Sequence, residues 1–302
     1  MIVRTVLGDI DPGDLGATYM HEHFIIDSQM VEEQLPEIHL PSVDEAVAEL
    51  LQCRAAGMAA AVDAMPGGAG RDVARLARAS EGSEVHLIAS TGLHTTRYYP
   101  HLDLVMEIAV ESLADLFTAE IEEGVERSEH RAGIIKVATM GDISERDRRL
   151  FTAAAQTHTR TGAPILTHCE DGLGGMEQVA LLVELGVDPG RVALSHTDKV
   201  LDDGYHRDLL GTGASVVYDQ ALRQPSQEET STSSLVSKMV DAGHSDQIML
   251  GTDGARRSMW ATLGGKPGLH WLLTSFPAAD DDELRSTLFV ANPARFLTFE
   301  PQ

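Results

Sequence analysis

The chain has 302 residues and a mass of 32.6 kDa, and 43% of its residues are hydrophobic while 23% are charged. Its 47 acidic and 23 basic side chains give a formal net charge of -24, which disfavours nucleic acids and anionic membranes as partners. No apolar run approaches the roughly 20 residues of a membrane-spanning helix, and the N-terminus lacks a signal-peptide pattern. Two cysteines, Cys53 and Cys169, are too few for a disulfide framework. We therefore expect a globular cytoplasmic protein with a small-molecule substrate.

Eight short β-type runs recur along the chain, separated by segments with the apolar spacing of amphipathic helices. The runs are GATYMHEHFII, AAAVDAMP, EVHLIASTG, AGIIKVAT, APILTHCED, RVALSHTD, ASVVYDQ and QIMLGTDG. The first connecting helix is predicted after Ser42, which forms a capping-box pattern with Glu45, and Gly57 can end it. This alternation predicts one (β/α)8 TIM barrel over residues 1–302, with the active site at the C-terminal ends of the strands.

Polar side chains stand at the ends of five of these runs. They are His21 and His23 in the first run, Lys136 in the fourth, His168 in the fifth, His196 in the sixth and Asp253 in the eighth. The spacing of two in MHEHF puts both imidazoles on one face of a strand, while Glu22 points away. Each histidine alone is commonly just a hydrogen-bonded strand-end residue. Together, on strands whose ends a barrel gathers, they favour a site for zinc or a similar divalent ion.

Lys136 lies in GIIKVAT, a run that otherwise has the composition of a buried strand. Burial favours the neutral amine, which can react with carbon dioxide to give a carbamate whose two oxygens bridge two cations. Without the histidines, a lysine that extends to the barrel mouth or pairs with an acid such as Glu170 is the simpler interpretation. With them, a carboxylated Lys136 is predicted.

The same residues carry a resemblance to a known family. TVLGDIDPGDLGATYMHEH, GIIKVAT, ILTHCEDG, ALSHTD, LGTDGARRSMW and ANPARFL resemble, in the expected order, the phosphotriesterase family of the amidohydrolase superfamily. The resemblance implies two divalent metal ions, with zinc expected and manganese, cobalt or iron as alternatives. It implies that His21, His23 and Asp253 hold a buried ion, that His168 and His196 hold a more exposed one, and that carboxylated Lys136 and a hydroxide bridge them. Asp253 is then the expected proton acceptor, so that Lys136 and Asp253 are the predicted catalytic residues.

Substrate choice lies in the loops, and two stretches resemble members that act on phosphorylated sugar lactones. These are TDGARRSMWATLGGKPGLHWLL and VVYDQALRQPS, although Met259 stands where the family pattern has a tyrosine. Arg256 and Arg223 are candidate donors to a phosphate or carboxylate. Pairing with surface acids is an equal alternative for Arg256 and the favoured one for Arg257. The loop TGLHTTRYYP can place Tyr98 or Arg97 over the pocket.

The sequence thus predicts a binuclear metal-dependent hydrolase that acts on an ester-like bond, and specifically a lactonase for a small polar or phosphorylated lactone. Phosphotriester hydrolysis is the alternative among enzymes, and a large apolar pocket would favour it. From another class, a barrel that binds metal and ligand without turnover is the alternative. A homodimer is expected from the resemblance and from the general frequency of two-fold homodimers.

Overall fold

The structure is a computed structural model that describes residues 1–99, 103–224 and 231–300. All eight predicted runs form parallel strands of one sheet, and neighbours in the chain are hydrogen-bonded to each other. These strands are β3 (Thr18–Glu22), β4 (Ala60–Asp63), β5 (His86–Gly92), β6 (Ala132–Thr139), β7 (Ile165–Cys169), β8 (Val192–Ser195), β9 (Ser215–Tyr218) and β10 (Ile248–Leu250). An antiparallel hairpin of β1 (Val3–Thr5) and β2 (Gly8–Ile10), which the sequence did not predict, precedes them.

Helices connect the strands and form the outer layer of the barrel. In the described residues they are α1 (Gln29–Gln34), α2 (Val43–Ala55), α3 (Val73–Ser83), α4 (Leu104–Glu107), α5 (Val110–Glu122), α6 (Glu145–Thr161), α7 (Gly175–Glu184), α8 (Asp203–Gly211), α9 (Thr232–Asp241), α10 (Trp271–Thr274), α11 (Asp282–Ser286) and α12 (Asn292–Leu297). The predicted cap of α2 is present, because the Ser42 hydroxyl accepts a hydrogen bond from the Glu45 amide at 3.2 Å. Among the helices of the described part, none is long and apolar enough to cross a membrane.

Each strand contributes an apolar side chain to the cluster that fills the interior of the barrel. These side chains are Met20, Val62, Ile88, Ile134, Leu166, Ala193, Val217 and Met249, all of them buried in one cluster. Because side chains alternate along a strand, the residue two positions later lies on the same inner side and nearer the C-terminal end. That position holds Lys136 on β6, His168 on β7, and Asp219 just beyond β9. The TIM-barrel prediction is therefore confirmed, and the packing itself stacks polar groups above the apolar layer.

The barrel closes where the residues after β10 meet β3. The amides of Thr252 and Asp253 donate to the carbonyl of His21 at 3.3 and 2.9 Å. Gly251 makes this approach possible, since a Cβ at that position would lie 2.8 Å from the His21 nitrogen and 2.9 Å from its oxygen. The closure of the barrel thus places Asp253 beside His21.

A methyl group at Gly251 should open this closure. We expect Gly251→Ala to lower the free energy of unfolding by about 1–3 kcal/mol, the usual range for overpacking a tight core position. Gly211→Ala is the matched control, since Gly211 is exposed at the end of α8 and an added Cβ would meet no atom within 4 Å. Urea denaturation of the two variants measures the difference. Equal stability in both would contradict this account of the closure.

Candidate metal centre and active site

The C-terminal ends of the strands surround a cavity of about 250 Å³. Five of the six predicted metal ligands line it, namely His21, His23, His168, His196 and Asp253. The sixth, Lys136, does not line the cavity: its side chain is buried, and its Nζ donates to the Ser195 hydroxyl at 3.2 Å. The structure therefore brings all six predicted groups to one end of the barrel.

A buried carboxylate that the sequence did not single out, Asp219, holds two of these imidazoles. Its two oxygens lie 2.9 Å from Nδ1 of His21 and 2.8 Å from Nδ1 of His196. Burial raises the pKa of Asp219, but the adjacent His196 and His21 outweigh burial and hold it well below its usual range. An ionised carboxylate only accepts hydrogen bonds, so both Nδ1 atoms carry the proton. In the neutral rings, the Nε2 lone pairs of His21 and His196 are then left free to bind a cation.

His168 is held in the same way by a different carboxylate. Its Nε2 donates to Oε2 of Glu170 at 2.6 Å, which leaves the lone pair on Nδ1. That Nδ1 lies 3.0 Å from Nε2 of His196. Burial, followed by the neighbouring His196, lowers the pKa of His168 well below its usual value, so the ring is neutral. When the His196 ring is neutral as well, neither of the two facing nitrogens has a proton to share with the other.

Two nitrogen lone pairs at this separation repel each other, and a divalent cation removes the conflict. For zinc–nitrogen bonds of about 2.0–2.1 Å in a tetrahedron, two ligand nitrogens lie roughly 3.3 Å apart. The 3.0 Å between His168 and His196 is close to that spacing. The donor set therefore fits a metal ion at this position.

His21, His23 and Asp253 form a second group of potential ligands. Oδ1 of Asp253 lies 3.4 Å from Nε2 of His23 and 4.0 Å from Nε2 of His21. Asp253 has a left-handed backbone with φ of 45°, an uncommon conformation for aspartate. The buried Glu22 stabilises it, because its carboxylate accepts from the amides of Thr252 and Gly254 at 2.6 and 3.3 Å. Glu22 does not line the cavity, as predicted, but its support of the Asp253 loop was not anticipated.

Lys136 has the properties that its buried strand suggested. Burial lowers its pKa to about 8, while the carboxylates of Asp219 and Asp253 act in the opposite direction. Near physiological pH the neutral amine is therefore still the minor form, but its fraction is far larger than for an ordinary lysine. Glu170, the alternative partner considered for Lys136, instead bonds to His168.

All three predicted substrate-binding residues line the cavity: Tyr98, Arg223 and Arg256. Nη1 of Arg223 lies 2.5 Å from Oδ2 of Asp253. Arg256, in contrast, forms no ion pair within the described ranges. Arg257 pairs with Glu45 at 3.2 Å and lies outside this cavity, as the surface-pair alternative predicted. The start of the loop with Tyr98 is described, but its residues 100–102 lie outside the described residues.

Several cavity residues were not assigned a role from the sequence. His94 is buried with its ring centroid 4.9 Å from that of His168. Lys199 ends the short turn after β8 and adds a cation to Arg97, Arg223 and Arg256. The only sequence signal for a role of Lys199 in the cavity was its position three residues after the predicted ligand His196.

Comparison with known proteins agrees with this geometry. A model of the phosphotriesterase family matches residues 1–297. The chain belongs to the phosphotriesterase family. A phosphotriesterase homology protein of Mycobacterium tuberculosis is 33% identical over 264 residues, which cover 83% of this chain and 80% of the relative. A phospho-furanose lactonase of Mycoplasmopsis synoviae is 29% identical over 98% of this chain and 92% of the relative.

The fold is also shared with a solved member of known activity. The crystal structure of a lactonase from Listeria monocytogenes superimposes with a TM-score of 0.93 at 25% identity, covering 99% of this chain and all of that one. The fold and the family are therefore established, and a metal-dependent ester hydrolase is the activity class consistent with both.

Asp219 provides a direct test of how this phosphotriesterase-family site is organised. In Asp219→Asn the amide nitrogen would face one Nδ1 and move that ring's proton to Nε2, where it blocks metal binding. We expect zinc affinity to fall about 10- to 100-fold, the usual cost of losing such a partner, as measured by titration against a chelator. Asp147→Asn, which removes a buried carboxylate from the cap of α6, should retain parent affinity. Parent affinity in Asp219→Asn would show that this carboxylate does not orient the ligands.

Proposed function

We propose that this protein is a binuclear metal-dependent hydrolase, and specifically a lactonase for a small anionic lactone such as a phosphorylated sugar lactone. The observation that carries the proposal is the pair of facing nitrogens of His168 and His196, 3.0 Å apart, beside a second donor group that includes Asp253. Such a set of imidazole and carboxylate donors suits two cations. The lactonases among its relatives support the choice of reaction.

In this proposal His21, His23 and Asp253 would hold the more buried ion, and His168 and His196 the more exposed one. Carboxylated Lys136 would lie between them. Zinc is the proposed metal, because imidazole and carboxylate donors suit it, and manganese, cobalt or iron can use the same donors. When bound, two such ions lower the pKa of a shared water and polarise the substrate carbonyl.

Asp253 is the proposed proton acceptor, and Arg223 orients it. Burial raises the pKa of Asp253, but Arg223 and His196 outweigh burial and hold it well below its usual range. Asp253 is therefore ionised at neutral pH and able to accept the proton that the attacking water loses. Arg223 fixes the orientation of Asp253 through its contact with Oδ2 and a second bond to the backbone carbonyl of the same residue.

The cavity favours a small anionic substrate. Four cations line it in a protein of net charge -24, and three of them, Arg97, Lys199 and Arg256, form no ion pair within the parts of the chain that the structure describes. At about 250 Å³ the cavity is smaller than the roughly 300–1,000 Å³ typical of drug-sized ligands. Its size and polarity oppose the bulky apolar substrates of phosphotriester hydrolysis. A barrel that binds metal and ligand without turnover is equally compatible with this size and polarity. Measured turnover would exclude it.

Assays of turnover test the proposal as a whole. Zinc-loaded protein should hydrolyse phosphorylated five-membered lactones with higher kcat/KM than uncharged lactones or phosphotriesters. Loss of that activity in Lys136→Ala would tie turnover to the metal site. An enzyme that prefers phosphotriesters, or that turns over none of the three classes, would refute the lactonase proposal.

We also propose a cellular location, a domain organisation and an oligomeric state. Cys53 and Cys169 are both buried free thiols, which fits a reducing compartment and supports a cytoplasmic location. We further propose that residues 1–302 act as one domain and that the protein is a homodimer, which light scattering on purified protein would measure.

Carboxylation of Lys136 should depend on pH. Its pKa of about 8 lies below the usual lysine value of 10.5, so the reactive neutral amine becomes the major form as pH rises through about 8. At fixed carbon dioxide pressure, with zinc and ¹³C-labelled carbon dioxide, the carbamate signal in NMR should therefore grow between pH 7 and pH 9. Lys136→Met is the control and should lack this signal. An equal signal in the control would place the carbamate elsewhere.

Arg256 should act on the anionic part of the substrate. We expect Arg256→Ala to raise KM for a phosphorylated lactone at least about 10-fold, since a hydrogen bond between charged groups contributes about 1.5–3 kcal/mol. KM for an uncharged lactone should change little. Arg257→Ala is the matched control, because Arg257 is bonded to Glu45 outside the cavity. Equal effects of the two variants would contradict a substrate-binding role for Arg256.

A further inference from the structure

Glu170 is the cavity residue that holds His168, and the proposed proton transfer and substrate binding do not use it. It lies two residues after His168, and its carboxylate both lines the cavity and accepts from Nε2 of His168 at 2.6 Å. This is the shortest of the hydrogen bonds between an imidazole and a carboxylate in the described part of the chain. A bond of this kind fixes which ring nitrogen carries the proton and which is free for a cation.

The backbone that carries Glu170 is tightly constrained. Residues Glu170–Gly172 form a short turn in which Asp171 and Gly172 have left-handed φ values of 52° and 80°. A Cβ on Gly172 would lie only 2.9 Å from the carbonyl of His196, and the Tyr205 hydroxyl donates to the Gly172 carbonyl at 2.7 Å. The turn after β7 is therefore pressed against the turn after β8. Its position is fixed relative to His196 as well as to His168.

The backbone of His168 is fixed by a separate contact. The side-chain Nε2 of Gln178 donates to the His168 carbonyl at 3.0 Å and to the Thr139 hydroxyl at 2.7 Å. With the backbone held from that side, rotation of the imidazole is the remaining freedom. The bond to Glu170 removes it and turns Nδ1 toward Nε2 of His196.

Glu170 differs from Asp219 in how many ligands it serves. Asp219 bonds to His21 and His196, which belong to different donor groups, so its loss affects both. Among the residues that the structure describes, the Glu170 carboxylate bonds to His168 alone. A change at Glu170 should consequently act on one metal position and spare the other.

We propose that Glu170 is the positioning residue of the more exposed metal position, an inference that rests on the proposed function. It acts through His168, by holding the imidazole with Nδ1 toward the ion and by making that nitrogen a stronger donor. The zinc at the more exposed position therefore depends on a carboxylate that the zinc at the other position does not use.

Zinc titration of metal-free protein against a chromophoric chelator tests this without any substrate. Glu170→Ala should weaken one of the two zinc sites about 10- to 100-fold, the usual effect of losing a partner of a ligating histidine, and leave the other within about 2-fold. Glu170→Gln keeps an oxygen acceptor and should show a smaller loss. His168→Asn, which removes the ligand itself, should abolish the same site and so identify it.

Asp171→Asn is the matched control, because it removes one negative charge from an exposed position of the same turn and asparagine tolerates a left-handed backbone. It should bind both zinc ions as the parent does, and thermal unfolding of the metal-free variants should remain close to that of the parent. Parent affinity in Glu170→Ala, equal weakening of both sites, or an equal loss in Asp171→Asn would each overturn the proposal. A parent that binds two zinc ions but hydrolyses no lactone would refute the proposed substrate class and leave the role of Glu170 intact.

Discussion

The arrangement of this site depends on two carboxylates, the buried Asp219 and the partly exposed Glu170, that each hold the outer nitrogen of an imidazole. Asp219 fixes His21 and His196, and Glu170 fixes His168, so that the inner nitrogens present lone pairs rather than protons. With both rings neutral, two of those nitrogens face each other at 3.0 Å without a proton between them. A protein that maintains such a contact at the end of a well-packed barrel is organised to receive cations.

The barrel supplies the precision that this arrangement needs. Each strand contributes an apolar side chain to the cluster that fills the interior, and the two-residue period of a strand puts Lys136 and His168 directly above that layer. At the closure, Gly251 lets the segment after β10 approach β3, and the Asp253 amide bonds to the His21 carbonyl. Fold stability and ligand geometry therefore share the same contacts, and a change that loosens the closure also displaces a ligand.

Much of this was predictable from the sequence, because the strand runs, their polar ends and the order of motifs are all local patterns. The eight barrel strands and the placement of the six predicted ligands at one end of the barrel follow from strand periodicity and barrel topology. The carboxylates were harder to predict. Asp219 follows its strand as plainly as the histidines follow theirs, but a single aspartate at a strand end is also an ordinary turn residue. The support that Glu22 gives to the Asp253 loop depends on a contact across 230 residues of chain. The β1–β2 hairpin has strands of three residues, too short to show a period.

The central claim is that cations belong between these imidazoles, and the amount of metal per chain tests it most directly. Protein produced with zinc and bicarbonate, then dialysed against metal-free buffer, is measured by elemental analysis. The account predicts close to two zinc ions per chain. A correctly folded protein that retains essentially no metal under these conditions would show that the facing nitrogens are accommodated in another way, and the hydrolase mechanism proposed for this chain would fall with that result.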